Sequence, residues 1–386
     1  MVEEKILQVG ALLNSAKIPE IPGDTNFWMM RAKSGFFYDE FVKDEFIALG
    51  WNYVDSKTSY DKENLERVKE GIKHWYGDKV PTTAINKCRR FIEEFKEGDY
   101  IVIPNKGSTK IAICKVGKYF ENESLDTRKE IQEIKKIENK EYEIGSVKCP
   151  YRKRRKVDVL LQVSTKRIGH KLLKAIGSYH GLNDMNEYAT DILNCLYDCY
   201  VFQENIMFSI NVAKKDPIGA RELSKLMYGV SEVFCELTDE ENVSVTINLN
   251  SPGKVTVWLQ KGYNALKKGA PTLLILTLVL FGGGAEGIVN FNGLLPGVIE
   301  TVKEIRLMDI EEKKAEEELK GQQLDNYLKA MELIEKSGEN EIDVEKVLKN
   351  LEFLTEIGGD LEFESNRKFA EDTTDVVIEE IESIEE

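Results

Sequence analysis

Short apolar runs broken by charged turns fill the first third of the chain, and their period changes from one stretch to the next. From Asn26, "NFWMMRAKSGFFYDEFVKDEFIALGW" offers brief β-prone pieces interrupted by "KSG", which predicts two or three strands. "NLERVKEGIKHWYG" and "PTTAINKCRRFIEEF" then carry helical spacing, with Thr82 or Thr83 as the expected cap of the second. In "GDYIVIPNKGSTKIAICKVGKYF", two apolar strands flank a turn at "NKGS". The middle, "IGHKLLKAIGSYHGLNDMNEYATDILNCLYDCYVFQENIMFSINV", predicts two helices and then a strand pair around "QEN". A further helix follows in "DPIGARELSKLMYG", with Pro217 near its first turn. Val243, Val245, Ile247 and Leu249 alternate with polar residues, "NSPG" turns the chain, and Val255 and Val257 resume the alternation, as in a hairpin or two successive strands.

The pattern then breaks down into something different. Between Lys268 and Glu300 the only ionisable side chain is Glu286, in "APTLLILTLVLFGGGAEGIVNFNGLLPG". The solid part, Leu273 to Phe281 with Leu276 and Leu280 inside it, falls well short of the roughly 20 residues that a helix needs to cross a bilayer. The run fits a buried strand with a glycine loop, or a membrane-active segment sheltered within an oligomer at rest. In the second case Glu286 would line or gate an ion path, because an isolated carboxylate is costly in hydrocarbon. Residues 298–337 follow as a long charged helix whose Ile299, Val302, Ile305, Met308, Leu319, Leu328 and Met331 stand near heptad spacing, which predicts self-association into a homo-oligomer, with a tetramer as one form.

At 386 residues the chain is long enough for two or three domains. The expected division is 1–147 as a small-barrel reader, 148–235 as a basic and mainly helical domain, and 236–386 as an effector and oligomerisation domain with the apolar segment at 269–299. The fold class expected is α+β. A net charge of −15 argues against nucleic-acid binding by the whole surface and directs attention to local patches. Six scattered cysteines and an N-terminus without a basic and apolar leader pattern predict a reduced, cytoplasmic protein that meets a membrane only on activation. Cys195 and Cys199, four apart, suit one helix face, but no second ligand pair stands nearby, and neither a metal nor a cofactor is expected. His170 and His180 lie ten apart and share no ligand geometry.

Phosphate-loop, H-E-x-x-H, G-x-S-x-G and dinucleotide-binding patterns are all missing from the sequence. A non-enzymatic role is therefore expected, with a cryptic nuclease at Asp239, Glu240 and Glu241 as the minority reading. Trp28, Trp51, Trp75 and Tyr76 offer flat faces on which a flipped or single-stranded base could stack, and each is equally suited to filling a small barrel. Arg31, Asn105 and Lys106 could add edge and phosphate contacts. The strongest local charge is "KCPYRKRRKVDVLLQVSTKRIGHKLLK", in which Arg152, Lys153, Arg154, Arg155, Lys156, Lys166, Arg167 and Lys171 are opposed by Asp158 alone. Such an island calls for an anion: nucleic-acid phosphate, the chain's own acidic end, "AEDTTDVVIEEIESIEE", or an anionic membrane surface.

"FWMMRAKSG", "FIALGW", "FKEGDYIVIP" and "IAICKVGKYF", in this order over roughly Asn26 to Lys174, resemble the PUA/EVE-like fold found at the N-terminus of restriction-associated anti-phage proteins. "PYRKRRKV" resembles the segment that follows that core. The resemblance implies a nucleobase held in an aromatic pocket. The layout of the whole chain resembles the membrane-channel effectors of the two-gene Hailong anti-phage systems. This implies a single-stranded DNA oligomer, or other nucleic acid, as ligand, and a nucleotidyltransferase as partner. The alternative is a DNA-recognition subunit that reads modified or single-stranded DNA and recruits a separate nuclease.

Overall fold

The computed structural model describes residues 19–142, 147–179, 181–212, 214, 216–237, 243–248 and 253–259, together with six positions between 353 and 364. The expectations for 269–299, for the helix at 298–337, for His180, for Asp239, Glu240 and Glu241, and for the acidic end all lie outside the described residues. Among the described residues, no helix is long and apolar enough to cross a membrane. The fold is mixed α+β, and the chain divides into two compact units, Asp24–Leu193 and a second that joins the N-terminal segment to everything from Asn194. The boundary expected at 147/148 falls inside the first unit.

Strand β1 (Glu20–Ile21) belongs to the second unit. The first unit begins with β2 (Phe27–Met30), and β3 (Phe46–Leu49) follows after an intervening helix, α1 (Tyr38–Lys43). Two strands stand where two or three were expected, and the sequence "FYDEFV" between them is helical. Tyr38 and Phe41, three apart, bury one face of it, and that is the helical period. Helix α2 (Lys62–Tyr76) starts where the Asp61 carboxylate accepts the amides of Glu63 and Asn64 and stops at Gly77, whose φ of 66° only glycine adopts at little cost. Helix α3 (Pro81–Arg89) begins with Pro81 in its first turn and no side-chain cap, so neither Thr82 nor Thr83 plays the expected role. It runs on into one π-helical turn, Arg90–Glu94.

The hairpin of β4 (Tyr100–Pro104) and β5 (Lys110–Glu121) is as expected, with Asn105 accepting the Lys110 amide across the turn. Helix α4 (Thr127–Glu138) is capped by Asp126. The basic segment then forms a twelve-residue strand, β6 (Lys153–Ser164), where helix had been expected to dominate. Helix α5 (His170–Ser178), the short strand β7 (Leu182–Asp184) and helix α6 (Ala189–Leu196) complete this part of the chain. The sheet runs β3-β6-β5-β4-β2-β7, antiparallel except for the β2–β4 pair. Its register shifts twice along β5, where bulges bend a strand, and β3 and β7 are the ends of an open path, so the expected small barrel is left incomplete.

The second unit has its own sheet, ordered β1-β8-β9-β11-β10 from β8 (Cys199–Phe202), β9 (Asn205–Val212), β10 (Val243–Asn248) and β11 (Gly253–Leu259). The strand pair around "QEN" and the later hairpin are thus both present. Helix α7 (Ala220–Leu237) starts after Pro217 and is longer than its sequence pattern indicated, and β12 (Phe363–Glu364) pairs with β9. Cys199 lies buried on β8 while Cys195 lies on α6, so the two thiols do not share a helix face.

Candidate ligand-binding cavity

Strand β3 ends at Leu49, and the next residues, Gly50 to Val54, turn sharply away. Trp51 takes a φ of 59°, a conformation uncommon for a bulky residue. Opposite charges hold the turn from its two sides. The Glu130 carboxylate, 3% exposed, accepts the amides of Trp51 and Asn52 at 2.7 Å each and the Tyr76 hydroxyl at 2.7 Å. The Lys153 ammonium, fully buried, donates to the carbonyls of Trp51 at 2.8 Å and Val54 at 2.6 Å. Gly50 makes the arrangement sterically feasible, since a Cβ there would stand 2.9 Å from Glu130 Oε1 and 3.0 Å from the Tyr151 ring. Burial raises the Glu130 carboxyl above its ordinary range, against the pull of its donors and of Lys153.

The turn forms one wall of a cavity of about 420 Å³, within the range of small-molecule and cofactor sites. Trp51 and Trp75, both half-buried, border it with Tyr76 at the end of α2. The Trp51 indole N–H donates to Asp78 Oδ2 at 2.7 Å, which fixes the ring plane, and His74 meets Trp75 edge-on. Ile131 and Ile134 on α4 add apolar wall, and Arg31, Lys33 and Lys87 add positive charge. Burial raises the Tyr76 and Tyr151 hydroxyl pKa values, so neither is primed as a nucleophile.

Of the aromatic candidates, the structure brings Trp51, Trp75 and Tyr76 together and sets Trp28 apart. Trp28 is 4% exposed, stacks on Phe95 at 4.4 Å and donates its indole N–H to the buried Asp99, so it fills the core of the sheet. Arg31 reaches the cavity, whereas Asn105 and Lys106 remain at the hairpin turn, away from its lining. Asn105 uses its amide on Thr109 and Lys110, and Lys106 is exposed.

The basic island is corrected by the strand it forms. Lys153 and Arg155 point inward and are occupied: Arg155, 5% exposed, donates to the carbonyls of Phe91 and Ile92 in the π-helical turn and to Gly117. The Phe91 and Ile92 carbonyls lie at a helix end, where partners from the same helix run out. Arg152 pairs with Glu121 at 2.8 Å and Asp55 at 3.6 Å. Arg154 donates to Tyr151 and Cys149 carbonyls with its guanidinium over Phe46. Lys156 and Lys166 are exposed, Arg167 is half-buried, and Lys171 pairs with Asp191 at 3.3 Å. Residues 152–156 are therefore mainly a set of internal fastenings, and the continuous phosphate patch read from sequence does not form there.

Sequence reasoning missed Asp78, Lys87, Glu130, Tyr151 and Gly181, all of which border the cavity. Glu130 sits in a helix dense with glutamate and lysine, where nothing local sets one acid apart from its neighbours.

The geometry defines an α+β unit with an aromatic and charged cavity lined from β2, β3, β7, α2, α3 and α4. The profile of a family described as a domain of unknown function, DUF8426, matches residues 28–173, which lie wholly within this unit. No curated protein and no solved structure matches the chain.

Proposed function

We propose that the Asp24–Leu193 unit is a reader that holds a flipped or single-stranded nucleobase against Trp51 and Trp75. The observation that carries this is the cavity itself: two half-buried indoles, one oriented by Asp78, beside a turn that buried charges hold in place before any ligand arrives. Rigid aromatic faces bind a planar ring at low entropic cost, and stacking contributes about 1–3 kcal/mol per base. The resemblance to PUA/EVE-like domains supports the same reading. In the chain as a whole, this reader would govern an anti-phage effector whose segment 269–299 acts on the membrane as a channel or pore within a homo-oligomer. That part rests on the uncharged run and on the Hailong-like layout, with a single-stranded DNA oligomer as ligand and a nucleotidyltransferase as partner.

The test is fluorescence titration of the full chain with short single-stranded DNA oligomers, for wild type and for Trp75→Ala. Quenching in the wild type and loss of binding in the variant is the expected result; wild-type binding at full strength in Trp75→Ala would overturn the reader assignment. Addition of the protein and oligomer to dye-loaded liposomes separates the effector readings. Leakage supports the membrane effector, and binding without leakage supports a recognition subunit that recruits a nuclease.

A further inference from the structure

Each carboxylate bordering the cavity already has a partner, whereas Arg31, Lys87 and Lys135 on its lining have no carboxylate partner among the described residues. Asp78 accepts the Trp51 indole, Glu130 accepts two amides and a hydroxyl, and Glu138 is paired with Lys33. Arg31 and Lys87 both border the cavity and both adjoin Gly181, Arg31 through its backbone and Lys87 through its ammonium. The Arg31 amide donates to the Gly181 carbonyl at 2.8 Å, and the Lys87 ammonium lies 2.7 Å from where a Gly181 Cβ would stand. Gly181 itself has a φ of 76°, so both its conformation and its missing side chain make room for that ammonium.

Neither cation has a carboxylate partner among the described residues. Arg31 donates through Nη2 to the Ile176 carbonyl, and its Nε is buried without an acceptor. An unfilled buried donor on a guanidinium is unusual in a native fold, and Arg31, which borders the cavity, is left with hydrogen-bonding capacity that no carboxylate takes up.

We propose that the cavity takes a nucleotide and not a bare base: a phosphate seats on Arg31 and Lys87 while the base lies against Trp51 and Trp75. This rests on the base-reading assignment above and adds the anionic half of the ligand. Guanidinium and ammonium together suit a phosphate dianion or a strand phosphodiester, which share this chemistry.

The experiment is calorimetric titration of the full chain with the four 2′-deoxynucleosides, their 5′-monophosphates and a short single-stranded oligodeoxynucleotide, for wild type, Lys87→Gln and Lys156→Gln. The expected result is that at least one monophosphate binds about tenfold or more tightly than its nucleoside. That advantage should vanish in Lys87→Gln, with nucleoside binding unchanged, and persist in Lys156→Gln. If the oligodeoxynucleotide shows the same dependence on Lys87, a strand phosphodiester fills the seat; if only monophosphates do, a terminal phosphate fills it, and either supports the proposal. Equal binding of nucleoside and monophosphate, or an advantage that survives Lys87→Gln, would overturn the phosphate seat and leave the base reader standing. Failure of every ligand to bind the wild type would overturn both.

Discussion

Changing Lys153 to methionine tests whether buried charge holds the wall of the cavity. The substitution keeps the length and apolar bulk of the side chain and removes only the ammonium. Two carbonyls, of Trp51 and Val54, then lose their donor, although the Trp51 carbonyl still accepts the Val54 amide. Glu130 is left buried without its counter-charge. Two hydrogen bonds from a charged donor, worth about 1.5–3 kcal/mol each, are lost, and the nearby Glu130 charge stays buried, for a cost of about 3–5 kcal/mol. For a unit of this size that corresponds to a fall in Tm of about 6–20 °C.

The pH dependence has a definite sign. A carboxyl whose folded pKa is raised binds more protons in the folded than in the unfolded state between its two pKa values, so stability falls as pH rises through that window. Losing Lys153 raises the folded Glu130 pKa further, and the deficit of Lys153→Met should therefore grow from pH 5 to pH 8. Thermal melts followed by near-ultraviolet circular dichroism measure both effects, with Lys156→Met, on the exposed side of the same strand, as the control. A Lys153→Met protein that melts within about 2 °C of wild type at pH 8, or whose deficit shrinks as pH rises, would refute the reasoning. A double-mutant cycle with Glu130→Gln should return a coupling of at least about 1 kcal/mol.

Trp51→Ala should abolish ligand-induced fluorescence change while Trp28→Phe leaves it intact, which titration of the two variants checks. The same Trp28→Phe should lower unfolding free energy in urea by about 2 kcal/mol, since it removes one of four donors from the buried Asp99 carboxylate. Cys88 and Cys114 are buried with thiols pushed up to about 11 and about 12, and Cys149 is raised further. All three should resist maleimide in the native protein and label rapidly in guanidinium, as mass spectrometry would show. Asp61, held down to about 2 by its capping hydrogen bonds, stabilises α2 above the ordinary aspartate range and loses that contribution as pH falls through about 2. The Tm gap between wild type and Asp61→Ala should accordingly narrow between pH 4 and pH 2; a constant gap would show that the cap's charge contributes nothing.

How far the sequence could be read differs from element to element for physical reasons. The "QEN" strand pair and the hairpin at Tyr100–Glu121 were legible because their turns and strand periods are local properties. Helix α2 was legible too, with Asp61 before it and Gly77 after it. Strand β6 was not, because its inward positions begin with lysine and arginine where alternation normally places apolar residues. Those cations are buried only because carbonyls from distant parts of the chain meet them: Trp51 and Val54 for Lys153, Phe91 and Ile92 for Arg155.

The candidate site divides in the same way. Composition and aromatic spacing were enough to nominate Trp28, Trp51, Trp75 and Tyr76, because a flat side chain suits both a stacked base and a packed core. Only tertiary structure separated them, by giving the Trp28 indole to Asp99 inside the sheet and setting Trp51 and Trp75 around a cavity. Glu130, Lys87 and Gly181 act through contacts 50 or more residues away in sequence, and no local pattern encodes such contacts. The sequence by itself determined the α+β character and the aromatic stock of the Asp24–Leu193 unit. Which charges hold the fold and which stay without a carboxylate partner was decided by burial, because a cation's partner is settled by where the folded backbone leaves its carbonyls.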